Sequence, residues 1–260
     1  MRYIAPEVCI ENRLKDRPAP KWAAALLVYR DYPSSRQVLQ AFGDVRPVRY
    51  RMLYNMTDPE FEPFVFEADI AGQTIAIVTR LVWGGPQTAI LVEELASIGV
   101  GLLLGYGAAG SMDRELPQGS LVVAESALPT DGTSKAYGAP AIQRAEGELV
   151  DAAVDSAAQA GGDMKPVCAA TVDALYRETP EKIDEFARQG AQIINMETSA
   201  LYAVSAACGV RSLWCGYITD CLVDGKWDDW YADLGNAAEK TVQTCRNLLI
   251  NRVCSCQEEA

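Results

Sequence analysis

The chain contains no histidine. That absence removes Ser-His-Asp and Cys-His nucleophilic arrangements. It leaves Asp, Glu, Lys, Tyr and Cys as the side chains able to move a proton. It also argues against a zinc centre, and no metal site is expected. The eight cysteines (Cys9, Cys168, Cys208, Cys215, Cys221, Cys245, Cys254 and Cys256) form no CxxC pair. Several lie in apolar stretches such as AACGV and LWCGYI, where a free thiol packs as a small hydrophobe. Reduced thiols and a cytoplasmic location are expected. Cys254-Ser255-Cys256 reads either as a solvated, frayed tail or as a redox pair. Runs of about 18 apolar residues are missing, which excludes a membrane-spanning helix. The opening MRYIAPEVCIENRLKDRPAP has no apolar centre and does not read as a signal peptide. Basic runs are missing too. A formal net charge of −12 repels nucleic acid and points to a small-molecule partner. Linkers, low-complexity tracts and repeats are likewise absent.

What is present is 49% apolar residues over 260 positions, enough for one large core. The expected organisation is an N-terminal extension over 1–20, one domain over 21–253 and a tail over 254–260. WAAALLVY (22–29) reads as a buried strand. A helix is expected after Pro33, ending at Gly43. Residues 64–69 and 74–79 read as paired strands about Gly72. PQTAILVEELASI (86–98) reads as a helix with Pro at its start and Gly99 at its stop. A strand over 100–104 leads into GYGAAG, and further strands are expected at 120–125 and 192–195. ETSALYAVSAAC (197–208) reads as a helix closed by Gly209. A strand over 211–219 ends at Asp220, and a long helix runs over about 234–251. Alternating strands and helices argue for a three-layer α/β domain: a mixed, mostly parallel central sheet with helices on both faces.

In such folds ligands sit at the C-terminal ends of strands. Four chemical features fall there: residues 29–36, the glycine segment 105–110, residues 195–197, and Asp220. The glycine segment is either a tight turn or a source of backbone N–H groups for an anion or sugar. Glu197 opens a helix, where its charge is favoured, and can accept two hydrogen bonds from a vicinal diol. Asp220, after an apolar strand, reads as a proton donor or as a capping aspartate.

NMETSALYAVSAACGVRSLWCGYITD resembles the signature of the nucleoside phosphorylase-I family, which includes hexameric purine nucleoside and uridine phosphorylases. WGGPQTAILVEELASIGVGLLLGYGAAGSM, PQGSLVVAESALPTDGTSKAYG and ATVDALY resemble the family's other segments, in the same order. The resemblance covers roughly residues 20–250. It implies that Glu197 holds the ribose hydroxyls, with Met196 packed on the sugar and Asn195 beside it. It implies that Asp220 serves the purine N7. Leu175, Ile194 and Tyr176 would border the base. Trp83, Gly107 and Ala108 would border the sugar, and Trp227 would belong to the loop after the catalytic aspartate. Phosphate, as co-substrate, would meet Arg30 and Arg36, with Arg49 or Arg51 reaching over from a neighbouring subunit. No cofactor is implied. A homo-oligomer, hexamer or dimer, is.

The sequence departs from that pattern in several places. The strand arginine before the glycine segment is absent, and Ala108 and Ala109 replace the usual hydroxyl. GYGAAGSM is closer to methylthioadenosine/S-adenosylhomocysteine nucleosidases, although their water-activating glutamate has no counterpart in ALLVYRDYPSSR. The histidine usual at the ribose 5′-hydroxyl has no counterpart. YRETPEKID lacks the Gln-x-Arg pair that reads uracil, which favours a purine. The expectation is therefore a purine nucleoside phosphorylase, with a hydrolytic nucleosidase or a non-catalytic nucleoside-binding protein as alternatives.

Overall fold

The computed structural model describes residues 3–30, 32–50, 52–53, 63–81, 84–228 and 234–255. Helix α1 (Pro6–Leu14) precedes strand β1 (Ala25–Val28), α2 (Tyr32–Phe42), β2 (Val45–Pro47), β3 (Val65–Ile70), β4 (Gln73–Val78) and α3 (Gly85–Ser97). Then come β5 (Leu102–Ser111), β6 (Leu121–Pro129), α4 (Gly132–Ala136), β7 (Gln143–Arg144), α5 (Gly147–Gln159) and β8 (Met164–Thr171). A 3₁₀ turn (Leu175–Arg177), α6 (Pro180–Arg188), β9 (Ile193–Asn195), α7 (Thr198–Cys208), β10 (Arg211–Val223), β11 (Lys226–Trp227) and α8 (Gly235–Ser255) complete the order. Among the described residues no helix is long and apolar enough to cross a membrane.

β1 shows why the sheet is buried on both faces. Side chains alternate across a strand, so Ala25 and Leu27 join a core with α1, α3 and α7. Leu26 and Val28 join a second core with α2, α5 and α8. All four are fully buried, and losing one such leucine side chain costs about 2–5 kcal/mol. The fold is thus a mixed sheet between two helical layers. β4, β1, β5 and β10 run parallel, and β6, β8 and β9 form a second parallel run. β10 pairs with β6 as well as β5, and β5 pairs antiparallel with β9. Five strands, β5, β10, β6, β8 and β9, therefore close on themselves, and β1, β4, β3 and β2 extend outward from β5.

Two elements differ from the sequence expectation. Residues 105–110 are not a loop: β5 continues through them to Ser111, paired along its length with β10. β10 does not stop at Thr219 but runs through Asp220 to Val223 and turns back as β11. Within the N-terminal twenty residues, α1 buries Ile10 and Leu14 in the core. Its Arg13 donates to Glu94 Oε1 at 2.6 Å and to the Met52 carbonyl at 2.8 Å.

Candidate active site

The chain enters the site through β9. Asn195 Oδ1 accepts from the Thr198 N–H at 3.3 Å and from the Thr171 hydroxyl at 3.3 Å. Its Nδ2 donates to the Thr198 hydroxyl at 2.5 Å. Asn195 thereby satisfies the start of α7, and the Glu197 side chain, unused as a cap, turns inward. Glu197 is 2% exposed. Its Oε2 accepts from the Met196 N–H at 3.1 Å and its Oε1 from the Trp214 indole N–H at 3.1 Å. Burial pushes its carboxyl from an ordinary 4.5 up to about 7, opposed by those two hydrogen bonds and by the positive charge of Arg30.

Asp220 owes its direction to an irregularity. The β10–β5 register shifts between Ile218 and Asp220, and such bulges re-aim side chains. Asp220 Oδ1 accepts from the Thr219 hydroxyl at 2.8 Å, and Oδ2 accepts from the Trp227 indole N–H at 3.0 Å. Trp227 is brought there by the β10–β11 hairpin, which turns at Asp224 and Gly225, both with φ near +60°.

Glu197 and Asp220 line one cavity of about 820 Å³. Leu175, Ile194, Met196 and Leu222 supply apolar walls, and the exposed Tyr176 stands among the lining residues. Asn195, Ala108 and Trp227 also line it. Arg30, just past β1, is the one basic side chain among the described lining residues. Its Nε is buried without a hydrogen-bond partner, and its guanidinium lies 5.6 Å from the Tyr217 ring centroid. Among the described residues no group is arranged to hold a metal ion.

The remaining expected residues sit elsewhere. Arg36 and Arg49 are exposed and do not line the cavity. Gly107 does not line it either: a Cβ there would stand 2.9 Å from Glu197 Oε1, so this position makes room for the carboxylate. Trp83, Arg51 and Cys256 fall outside the described residues.

Sequence reasoning missed Glu178. It follows the 3₁₀ turn and lines the cavity with Asp220. Burial, and then the Asp220 charge, raise its carboxyl to about 7. No periodic signal marks one acid in the polar run RETPEKID. It also missed Tyr217 and Thr219, which reach the cavity because β10 runs past its mouth.

A family model described as the phosphorylase superfamily matches residues 49–253. An uncharacterized protein of Acanthamoeba polyphaga mimivirus, R802, is 34% identical over 177 residues, 64% of this chain and 65% of that protein. A guanosine phosphorylase of Halorubrum lacusprofundi is 31% identical, over 65% of this chain and 72% of its own. A DeoD-type purine nucleoside phosphorylase of Clostridium perfringens is 33% identical, over 54% of this chain and 61% of its own. The chain thus spans less than two thirds of the mimivirus and Clostridium proteins. Among solved structures, a purine nucleoside phosphorylase of Toxoplasma gondii superposes with a TM-score of 0.76 at 19% identity, over 98% of this chain and 99% of that one. A uridine phosphorylase of Vibrio fischeri gives 0.71 at 19% identity, over 88% and 91%. Those two share the fold. With the family model matching well over half of its length, the chain belongs to the phosphorylase superfamily.

Proposed function

We propose that the protein is a nucleoside phosphorylase that converts a purine nucleoside and phosphate to free base and ribose-1-phosphate. The observation that carries this reading is the placement of Glu197 and Asp220 on one cavity. Glycosidic cleavage develops positive charge on the sugar and negative charge on the departing base, and the groups that matter are those matched to these charges. Glu197, already holding two donors, keeps lone pairs for the two ribose hydroxyls and lies under the positive sugar. A phosphate oxygen bonds to C1′ as the C1′–N bond breaks. The electron pair of that bond goes to the base, and Asp220 in its acid form passes its proton to the imidazole nitrogen, becoming a carboxylate. Arg30, with an unpartnered buried Nε, is the phosphate ligand. Relatives named as guanosine and purine nucleoside phosphorylases support a purine.

A second reading, hydrolysis, is favoured by one feature. Ala108 and Ala109 line the cavity without a hydroxyl, and Arg30 alone among the described lining residues carries positive charge. Incubation with a nucleoside panel, with and without phosphate, separates the two. Phosphorolysis predicts phosphate-dependent base release with ribose-1-phosphate as the sugar product. Equal release without phosphate, giving free ribose, selects hydrolysis. We further propose a homo-oligomer, hexamer or dimer, in which Arg49 or Arg51 serves a neighbour's site. Light scattering giving a monomer mass would reject it.

A further inference from the structure

Trp214 is fully buried and is absent from the cavity wall, yet its indole N–H touches the carboxylate that the proposed function depends on. Its surroundings are built around it. On β10 and β5, Trp214 stands directly opposite Gly105, and Gly216 opposite Gly107. A Cβ at Gly216 would lie 2.3 Å from the Trp214 ring, one at Gly105 2.8 Å from it, and one at Gly107 3.2 Å from its Nε1. None of these three glycines has a positive φ. Glycine is therefore required at them for space and not for backbone conformation. The slot they form fixes the indole in the sheet, and the backbone is held too, since Trp214 N–H donates to the Tyr202 hydroxyl at 3.2 Å.

We propose that Trp214 is a positioning residue for Glu197: the glycine slot clamps the indole so that its N–H fixes Oε1 and presents the carboxylate's remaining lone pairs to a vicinal diol. A carboxylate offers about four lone-pair sites. Trp214 and the Met196 N–H occupy one on each oxygen, which leaves one on each for a ribose hydroxyl. This inference rests on the reading of Glu197 as the diol acceptor. Among the described residues, the other charged and titratable groups acting on Glu197 are Arg30 and Tyr29, both from the end of β1. Neither accounts for the glycines on β5 and β10.

The test is Trp214→Phe, which keeps a ring in the slot and removes the donor. Glu197 is observed directly by carboxyl-carbon NMR in the ligand-free protein, its resonance assigned with Glu197→Gln. Loss of one donor to the ionised form raises the midpoint, about 7 in the native chain, by about one unit. KM for nucleoside at about pH 7 then rises about fivefold with a smaller change in kcat, and recovers in alkali, where the carboxylate is ionised again. A midpoint unchanged in the variant overturns the proposal, because a packing role alone does not move it. Should Trp214→Phe fail to fold, Gly107→Ala replaces it. Its methyl pushes Oε1 off the indole, and the same upward shift is expected. A native protein with no turnover but with the shifted midpoint rejects the diol reading and leaves the Trp214–Glu197 coupling standing.

Discussion

Burying Glu197 makes the protein less stable as pH rises. In the unfolded chain its carboxyl ionises near 4.5, and in the folded chain near 7. Between those values the folded state keeps a proton that the unfolded state has lost, so stability falls with increasing pH at about 1.4 kcal/mol per unit. The contribution is fully present below about 4.5 and is lost as pH climbs through about 7. The total is about 3 kcal/mol, of which most is lost between roughly pH 5 and pH 8. Against a typical total stability of about 5–15 kcal/mol this is large. For a chain of this size it corresponds to roughly 6–12 °C in Tm. Glu178 shifts in the same direction, but it is half-exposed and solvent screens it. The decisive comparison is therefore native protein against Glu197→Gln, by urea or thermal unfolding at several pH values, so that all other titrations cancel. The amide offers only one acceptor to the two donors, a fixed cost of about 1–3 kcal/mol. The difference between the two proteins should nonetheless move by roughly 2–3 kcal/mol in favour of the variant from about pH 5 to pH 8. A difference constant across that range would refute a buried, titrating Glu197.

Other outcomes follow from the same geometry. Asp220→Asn should lower kcat by about 10²–10⁴-fold without changing the circular dichroism spectrum, as read by base release in steady-state assays. Arg30→Gln removes the one described lining cation and should raise KM for phosphate by about 10–100-fold, the loss of a charged hydrogen bond, with little change in KM for nucleoside. Arg13→Ala removes the 2.6 Å ion pair that the buried Glu94 makes. It should cost about 1–3 kcal/mol in urea unfolding, the loss of a charged hydrogen bond, although the site lies elsewhere. Trp227→Phe removes the N–H held by Asp220 at 3.0 Å. If the base takes that place on binding, the quench of tryptophan fluorescence by nucleoside should shrink in the variant.

What was legible in the sequence was local. Gly72 between two alternating runs gave the β3–β4 hairpin, with φ +79° at the turn. Pro86 and Gly99 bracketed α3, and Gly209, at φ +69°, closed α7. Glu197 and Asp220 stood out because each follows a short apolar run, although β10 itself continues through Asp220 to Val223. The glycine segment was misread because glycine most often frees the backbone. Here Gly105 and Gly107 instead clear space for Trp214, 109 and 107 positions away in sequence, a pairing that only the sheet register reveals. The closure of five strands through β10 depends on similarly distant pairings. Arg36 was chosen by charge and neighbourhood, and the direction of a surface side chain is set by helix phase and local turns. Glu178 acquires its character first from burial and then from Asp220, 42 positions on, so nothing in its own sequence neighbourhood could have flagged it.

The most direct check of the account is a crystal structure with a non-hydrolysable purine nucleoside analogue and phosphate bound. The ribose 2′- and 3′-hydroxyls are expected on Glu197, the imidazole nitrogen on Asp220 in the place of the Trp227 indole N–H, and phosphate on Arg30. A nucleoside seated with its sugar away from Glu197, or with Asp220 still closed by Trp227 and the base elsewhere, would contradict it.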